Sequence, residues 1–159
     1  MVHVASSTAF HLFDFIFRKG VVYDNNDTVN ANRTVTATEV PGLDSPYRFS
    51  HSVDLWNGSG SFANATEVYR YAGSALTANA YGSPVGGTVT GLFVGDAQGK
   101  AAIIGTSISA ADIRAASLTS TRADDIALLR AVFSGDDTAQ LSRFADRFDA
   151  GGGNDFVAA

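Results

Sequence analysis

Cysteine is absent from the 159 residues, which removes any disulfide framework, thiolate metal site or cysteine nucleophile. Lysine is nearly absent, at Lys19 and Lys100 only, and 11 basic against 16 acidic residues leave a net charge of −5. A nucleic-acid binder needs clustered Lys and Arg against the phosphates, so that partner class is not expected. Glutamate occurs only at Glu39 and Glu67, so paired-carboxylate hydrolysis has little beyond Asp54 with Glu67 to work with. The histidines are only His3, His11 and His51, and neither a G-x-S-x-G elbow nor an H-E-x-x-H helix occurs. A non-enzymatic protein is therefore expected. No stretch approaches the roughly 18 apolar residues of a membrane span. The start Met1-Val-His-Val-Ala lacks the basic n-region of a Sec signal, and the apolar run Phe10 to Phe17 is interrupted by Asp14.

What is present is an ordinary globular composition, 45% apolar with 16 Gly and only three Pro, in a length that suits one domain with a real core. The acidity is almost all aspartate, 14 residues of it, which suits solubility and the ligation of hard cations. The aspartates are also patterned. Written in rows of nine, residues 132–158 place Asp137, Asp146 and Asp155 in one column and Ala139, Phe148 and Val157 in another two places later. A nonapeptide G-G-x-G-x-D-x-U-x, with U apolar, is the unit of the calcium-binding parallel β-roll: a Gly-rich turn followed by a short strand whose U residue points inward. Glycine lets the turn enter positive φ, and Asp adds a charged oxygen for an ion that takes about 6–8 oxygens. The last row is the best copy, with Gly151, Gly153, Asn154, Asp155 and Val157 in place. The middle row keeps Asp146 and Phe148 but has Phe144 where Gly belongs. The first keeps Gly135 and Asp137, with Ala139 at the apolar position.

The runs Phe133-Ser-Gly-Asp-Asp-Thr138, Phe144-Ala-Asp-Arg-Phe148 and Gly151-Gly-Gly-Asn-Asp155 resemble the entry into the repeats of RTX proteins, the haemolysin-type calcium-binding proteins that bacteria export. The upstream segments Tyr81-Gly-Ser-Pro-Val-Gly-Gly-Thr-Val-Thr-Gly91 and Ile104-Gly-Thr-Ser-Ile-Ser-Ala-Ala-Asp112 are similar to the β-rich domain that often precedes such repeats, so the resemblance spans about 110 residues. It implies type I secretion without an N-terminal signal peptide, an extracellular location, and Ca²⁺ as the ion that orders the tail. The expected ligands are Gly135, Asp137, Asp146, Gly151, Gly153, Asn154 and Asp155. Asp137 and Asp155, eighteen residues apart and so two rows apart, are expected to share one site.

Upstream, residues 9–17 form the densest apolar patch, compatible with helix or strand. From Val21 to about Ala80 the alternation is that of half-buried strands: Val29 to Val40, ended by Pro41-Gly42, then Tyr47 to Leu55 before the turn Asn57-Gly58, then Glu67 to Tyr71 and Leu76 to Tyr81. Gly87 to Gly95 and Lys100 to Gly105 flank a Gly-containing loop and are expected to form a hairpin. Two helices follow, one capped by Ser109 and reaching Ser117, the other opened by Thr121 and ended at Ser134-Gly135, with Ile126, Leu129, Val132 and Phe133 on one face. Gln140 to Phe148 fits a third helix equally well, with Leu141, Phe144 and Phe148 as its stripe.

The expected class is α+β, mainly β: an antiparallel sheet followed by two or three short helices and a rudimentary β-roll-like calcium repeat. Residues 1–134 form the β-rich domain with its helices, and residues 135–159 the degenerate repeats. The expected function is a secreted, non-enzymatic calcium-binding protein. The alternatives are ligand capture, on a faint similarity to secreted haem carriers with Tyr69, Tyr71, Tyr81 and His51 as conceivable iron ligands, and an adhesion or self-assembly module.

Overall fold

The computed structural model describes residues 1–7, 17, 29–35, 46–57, 67–79, 84–95 and 100–158, with 29–35, 54–57, 67–68 and 100 described as backbone only. The chain is mainly β. Its strands are β1 (His3–Ser6), β2 (Val29–Val35), β3 (Tyr47–Asn57), β4 (Glu67–Ala78), β5 (Pro84–Gly95) and β6 (Lys100–Ser109). Two helices follow, α1 (Ala110–Ser117) and α2 (Ala123–Val132), and then two short strands, β7 (Thr138–Gln140) and β8 (Phe156–Ala158). All eight strands belong to one sheet in the order β2-β3-β4-β5-β6-β1-β7-β8.

From β2 to β6 each strand pairs with the next in antiparallel register. The pairing changes at the other end, where the tail joins the sheet. There β1 pairs antiparallel with β6 but parallel with β7, and β7 pairs parallel with β8. The two shorter strands expected at 67–71 and 76–81 are one strand, β4, bent by irregularities at Ala72/Gly73 and around Ser74 to Ala78, where Ala75 has φ 52°. Bulges let the ladder continue where strict alternation breaks. The hairpin of β5 and β6 forms. The patch at 9–16, the end of the first expected strand at 36–40, Pro41-Gly42, Gly58, Tyr81 and the hairpin loop 96–99 lie outside the described residues.

Alternation decides which side of the sheet each residue covers. The row Val53, Tyr71, Leu92, Ile103 and Val4, in register across five strands, faces the helices and packs with Ala110, Ile113, Ala116, Leu129 and Phe133. In the adjacent row Phe93, Ala102 and Ala5 are in register, and with Ala72 and Phe49 they form a second, smaller cluster. Ser109 caps α1 as its position predicts, its Oγ accepting from the Ala111 N–H at 3.2 Å. Thr121 does not cap α2. That helix starts after Arg122, which makes no side-chain cap bond, and it stops at Val132 with Phe133 as C-cap, before the expected Ser134-Gly135. The apolar face expected of α2 is the one it buries, with Leu129 and Phe133 sealed and Ile126 and Val132 half-buried.

The third-helix alternative for Gln140 to Phe148 is overturned: Gln140 ends β7, and residues 141–150 are irregular. A helix would have buried Phe144, which is instead 53% exposed. Beyond residue 135, β7 lies directly against β1.

A stacked pair of glycine and aspartate turns

The candidate site grows from one feature, the nine-residue pattern that makes positions eighteen apart equivalent. Residues 133–140 lie along residues 151–158 position by position. Thr138, Ala139 and Gln140 pair in register with Phe156, Val157 and Ala158. The Asp137 N–H donates to Asp155 Oδ1 at 2.9 Å, and the Asn154 N–H donates to Asp136 Oδ1 at 2.8 Å. The Gly152 N–H donates to the Phe133 carbonyl at 3.2 Å, and a Cβ on Gly153 would lie 2.5 Å from the Gly135 carbonyl carbon. Gly151 and Gly153 have φ of 76° and 125°, a region in which a side chain is strained. The glycines of the last row are thus needed twice, for their φ and for their close approach to the turn beneath.

The aspartate column works as a hydrogen-bonded ladder whose first rung is β1. Asp155 accepts from the Asp137 N–H, and the Phe156 N–H donates to the Asp137 carbonyl at 2.9 Å. One rung earlier the pattern repeats on a segment with no sequence similarity to the repeats. Asp137 Oδ1 accepts from the Val2 N–H at 2.6 Å, and the Thr138 N–H donates to the Val2 carbonyl at 2.9 Å. Each Asp closes the start of its strand onto the strand before, a charge-assisted bond stronger than a neutral one. Asp137 is only 3% exposed and its Oδ2 has no hydrogen-bond partner. Burying a carboxylate oxygen unpaired is costly, so this atom has unused capacity for a cation or a donor.

Of the residues expected to bind an ion, Gly135, Asp137, Gly151, Gly153, Asn154 and Asp155 are brought into this one pair of turns. Asp146 is engaged elsewhere: its carboxylate accepts from the Ser142 N–H at 2.9 Å and from Ser142 Oγ, so it closes the turn of its own row. Asp149, exposed, accepts from the Gly151 N–H at 3.1 Å. Among the described residues no group of three or more His, Cys, Asp or Glu is arranged to hold a metal, so an ion here would need backbone carbonyls and water beside the two carboxylates. The expected inward column is only partly inward. Ala139 is sealed and Phe148 packs edge-to-face on Phe133 at 5.3 Å, but Val157 is 48% exposed because β8 ends the sheet. Two residues that the pattern does not flag complete the site: Val2, whose backbone opens the ladder, and Asp136, whose carboxylate holds the Asn154 amide. The Asp136-Asp137 pair set against Asn154-Asp155 is the sequence signal for the second.

No family model matches the chain, and no curated protein or solved structure matches it either. The tyrosines considered for iron are core residues: Tyr69 and Tyr71 are 8% and 4% exposed within the main apolar cluster. His51 shares its Nδ1 with Ser50 Oγ at 3.1 Å. Tyr81 lies outside the described residues. Among the described residues no helix is long and apolar enough to cross a membrane.

Proposed function

We propose that the stacked turns form a calcium-binding element of RTX type, borne by a non-enzymatic, exported β-rich protein. One observation carries this reading: Gly135-Asp136-Asp137 and Gly153-Asn154-Asp155 superpose in register at the eighteen-residue spacing of two nonapeptides. Asp137 and Asp155 supply the charged oxygens, with Asn154 and carbonyls of Gly135, Gly151 and Gly153 as neutral ones. This donor set fits Ca²⁺, a hard cation that accepts mixed carboxylate, carbonyl and water oxygens. The orphaned Oδ2 of Asp137 gives the fit a physical reason, since a cation offsets the cost of burying it. Bound there, calcium neutralises the two carboxylates and ties the last rung to the sheet. Two carboxylates make a weak site, with a dissociation constant on the order of 10⁻⁴–10⁻³ M.

Calorimetric titration with Ca²⁺, and with Mg²⁺ as control, tests the reading. Asp155→Ala is expected to weaken calcium binding more than Asp149→Ala. Equal losses, or equal heats for the two metals, point to diffuse attraction by an acidic tail.

A further inference from the structure

The β5–β6 ladder is interrupted where Gly91 pairs with Ile104 and Val89 with Ile108, so that Gly105, Thr106 and Ser107 stand against Thr90 alone. Gly105 takes φ 84° there, and a Cβ on it would lie 2.7 Å from the Met1 carbonyl oxygen. A bulge of this kind re-aims the strand, and bulges concentrate beside functional sites. Here it forms one wall of a cleft of ≈ 410 Å³, completed by the start of β1, α1, α2 and the turn entering β7. That volume suits a small organic molecule. The apolar lining includes Ile108, Leu128, Ala131 and Val132; among the described residues the charged side chains that line it are two carboxylates, Asp112 and Asp137, with no Lys, Arg or His. Asp137 sits in the wall, 3% exposed and with Oδ2 unpartnered. Asp112 is exposed at the start of α1 and Asp137 is buried in the wall, so the two carboxylates give the cleft a negative potential.

We propose that this cleft binds a small organic cation: a primary ammonium or guanidinium group on a short apolar chain, the charge set between Asp112 and Asp137 and the chain against Leu128 and Val132. The proposal goes beyond the calcium reading and shares Asp137 and the backbone of Gly135 with it. Agmatine is the probe, with n-butanol as uncharged control, in EGTA so that calcium plays no part, followed by amide chemical shifts. Saturable shifts at residues 105–112 and 128–135 are expected with agmatine and not with butanol. Asp112→Asn should weaken binding by up to about fivefold, the size of a partly screened charge pair, while leaving the calcium titration unchanged. The absence of saturation at millimolar agmatine, equal shifts with butanol, or indifference to Asp112→Asn overturns the cleft assignment. Loss of calcium binding in Asp155→Ala with agmatine binding intact would leave it standing alone.

Discussion

Replacing Gly151 by alanine places one methyl group where the stacked turns leave no room. The added Cβ would lie 1.7 Å from the Phe133 carbonyl oxygen, a backbone atom that no side-chain rotation can move away. The φ of 76° independently costs a non-glycine residue about 1–2 kcal/mol. Separating the two segments also breaks the bond from the Gly152 N–H to Phe133, worth about 0.5–1.5 kcal/mol. Together these give a destabilisation of about 1.5–3.5 kcal/mol before the steric clash is counted, with an upper limit set by detachment of the last rung. Gly152 is the internal control. A Cβ there meets only the Ser134 carbonyl oxygen at 3.9 Å, and no positive φ is required. Gly152→Ala is therefore neutral or stabilising by up to about 0.4–1 kcal/mol, through the reduced entropy of the unfolded chain. Urea unfolding of both variants, with amide exchange at Phe156 to show whether the loss is local or global, checks the argument. Equal stabilities for the two alanine variants would refute the stacking of Gly151 on Phe133.

Chelation is expected to divide amides that are close in sequence. Phe156 and Leu141, which donate to the Asp137 and Ala158 carbonyls, should lose protection in EGTA, whereas Thr138, held by Val2, should keep it; simultaneous loss of all three would mean that the sheet and the last rung open as one unit. Phe133→Ala removes a 1% exposed ring that joins α2 to the tail through Phe148, and should cost about 3–5 kcal/mol in chemical denaturation. Ser142→Ala removes the hydroxyl that donates to Asp146 and accepts from the Phe144 N–H, a loss of about 1–3 kcal/mol for a buried network, with calcium binding unaltered in titration. Burial holds the Tyr47 phenol above its ordinary value of 10.0, against the opposing effect of its bond to Thr90. The folded pKa is the higher one, so this contribution is fully present below pH 10.0 and is lost as pH rises through the folded value. An alkaline unfolding series of the wild type beside Tyr47→Phe should show a shallower decline in the variant.

The parts of the fold legible in sequence are those in which neighbours along the chain encode the outcome. Ser109 caps α1, Leu129 and Phe133 mark the buried face of α2, and alternation in Tyr47 to Leu55 and Gly87 to Gly95 gives strands. The eighteen-residue equivalence of Asp137 and Asp155 was likewise readable, because a fixed period is a local property repeated. The exact end of α2 was not, since Phe133 is drawn into the core one residue past Val132 before the glycine can act.

What the tertiary structure alone decided is which surface each local element meets. His3 to Ser6 is too short to declare itself a strand, yet it is inserted between β6 and β7, pairing with residues about a hundred positions away or more. That insertion gives Asp137 a partner in the Val2 amide and joins the repeat-like tail to the main sheet. The same non-local packing leaves Val157 exposed at the sheet edge and buries Tyr69 and Tyr71 in the core. Periodicity specifies that a residue belongs to a given face or column. Whether that face is covered depends on elements brought from elsewhere in the chain, which the spacing of residues does not encode.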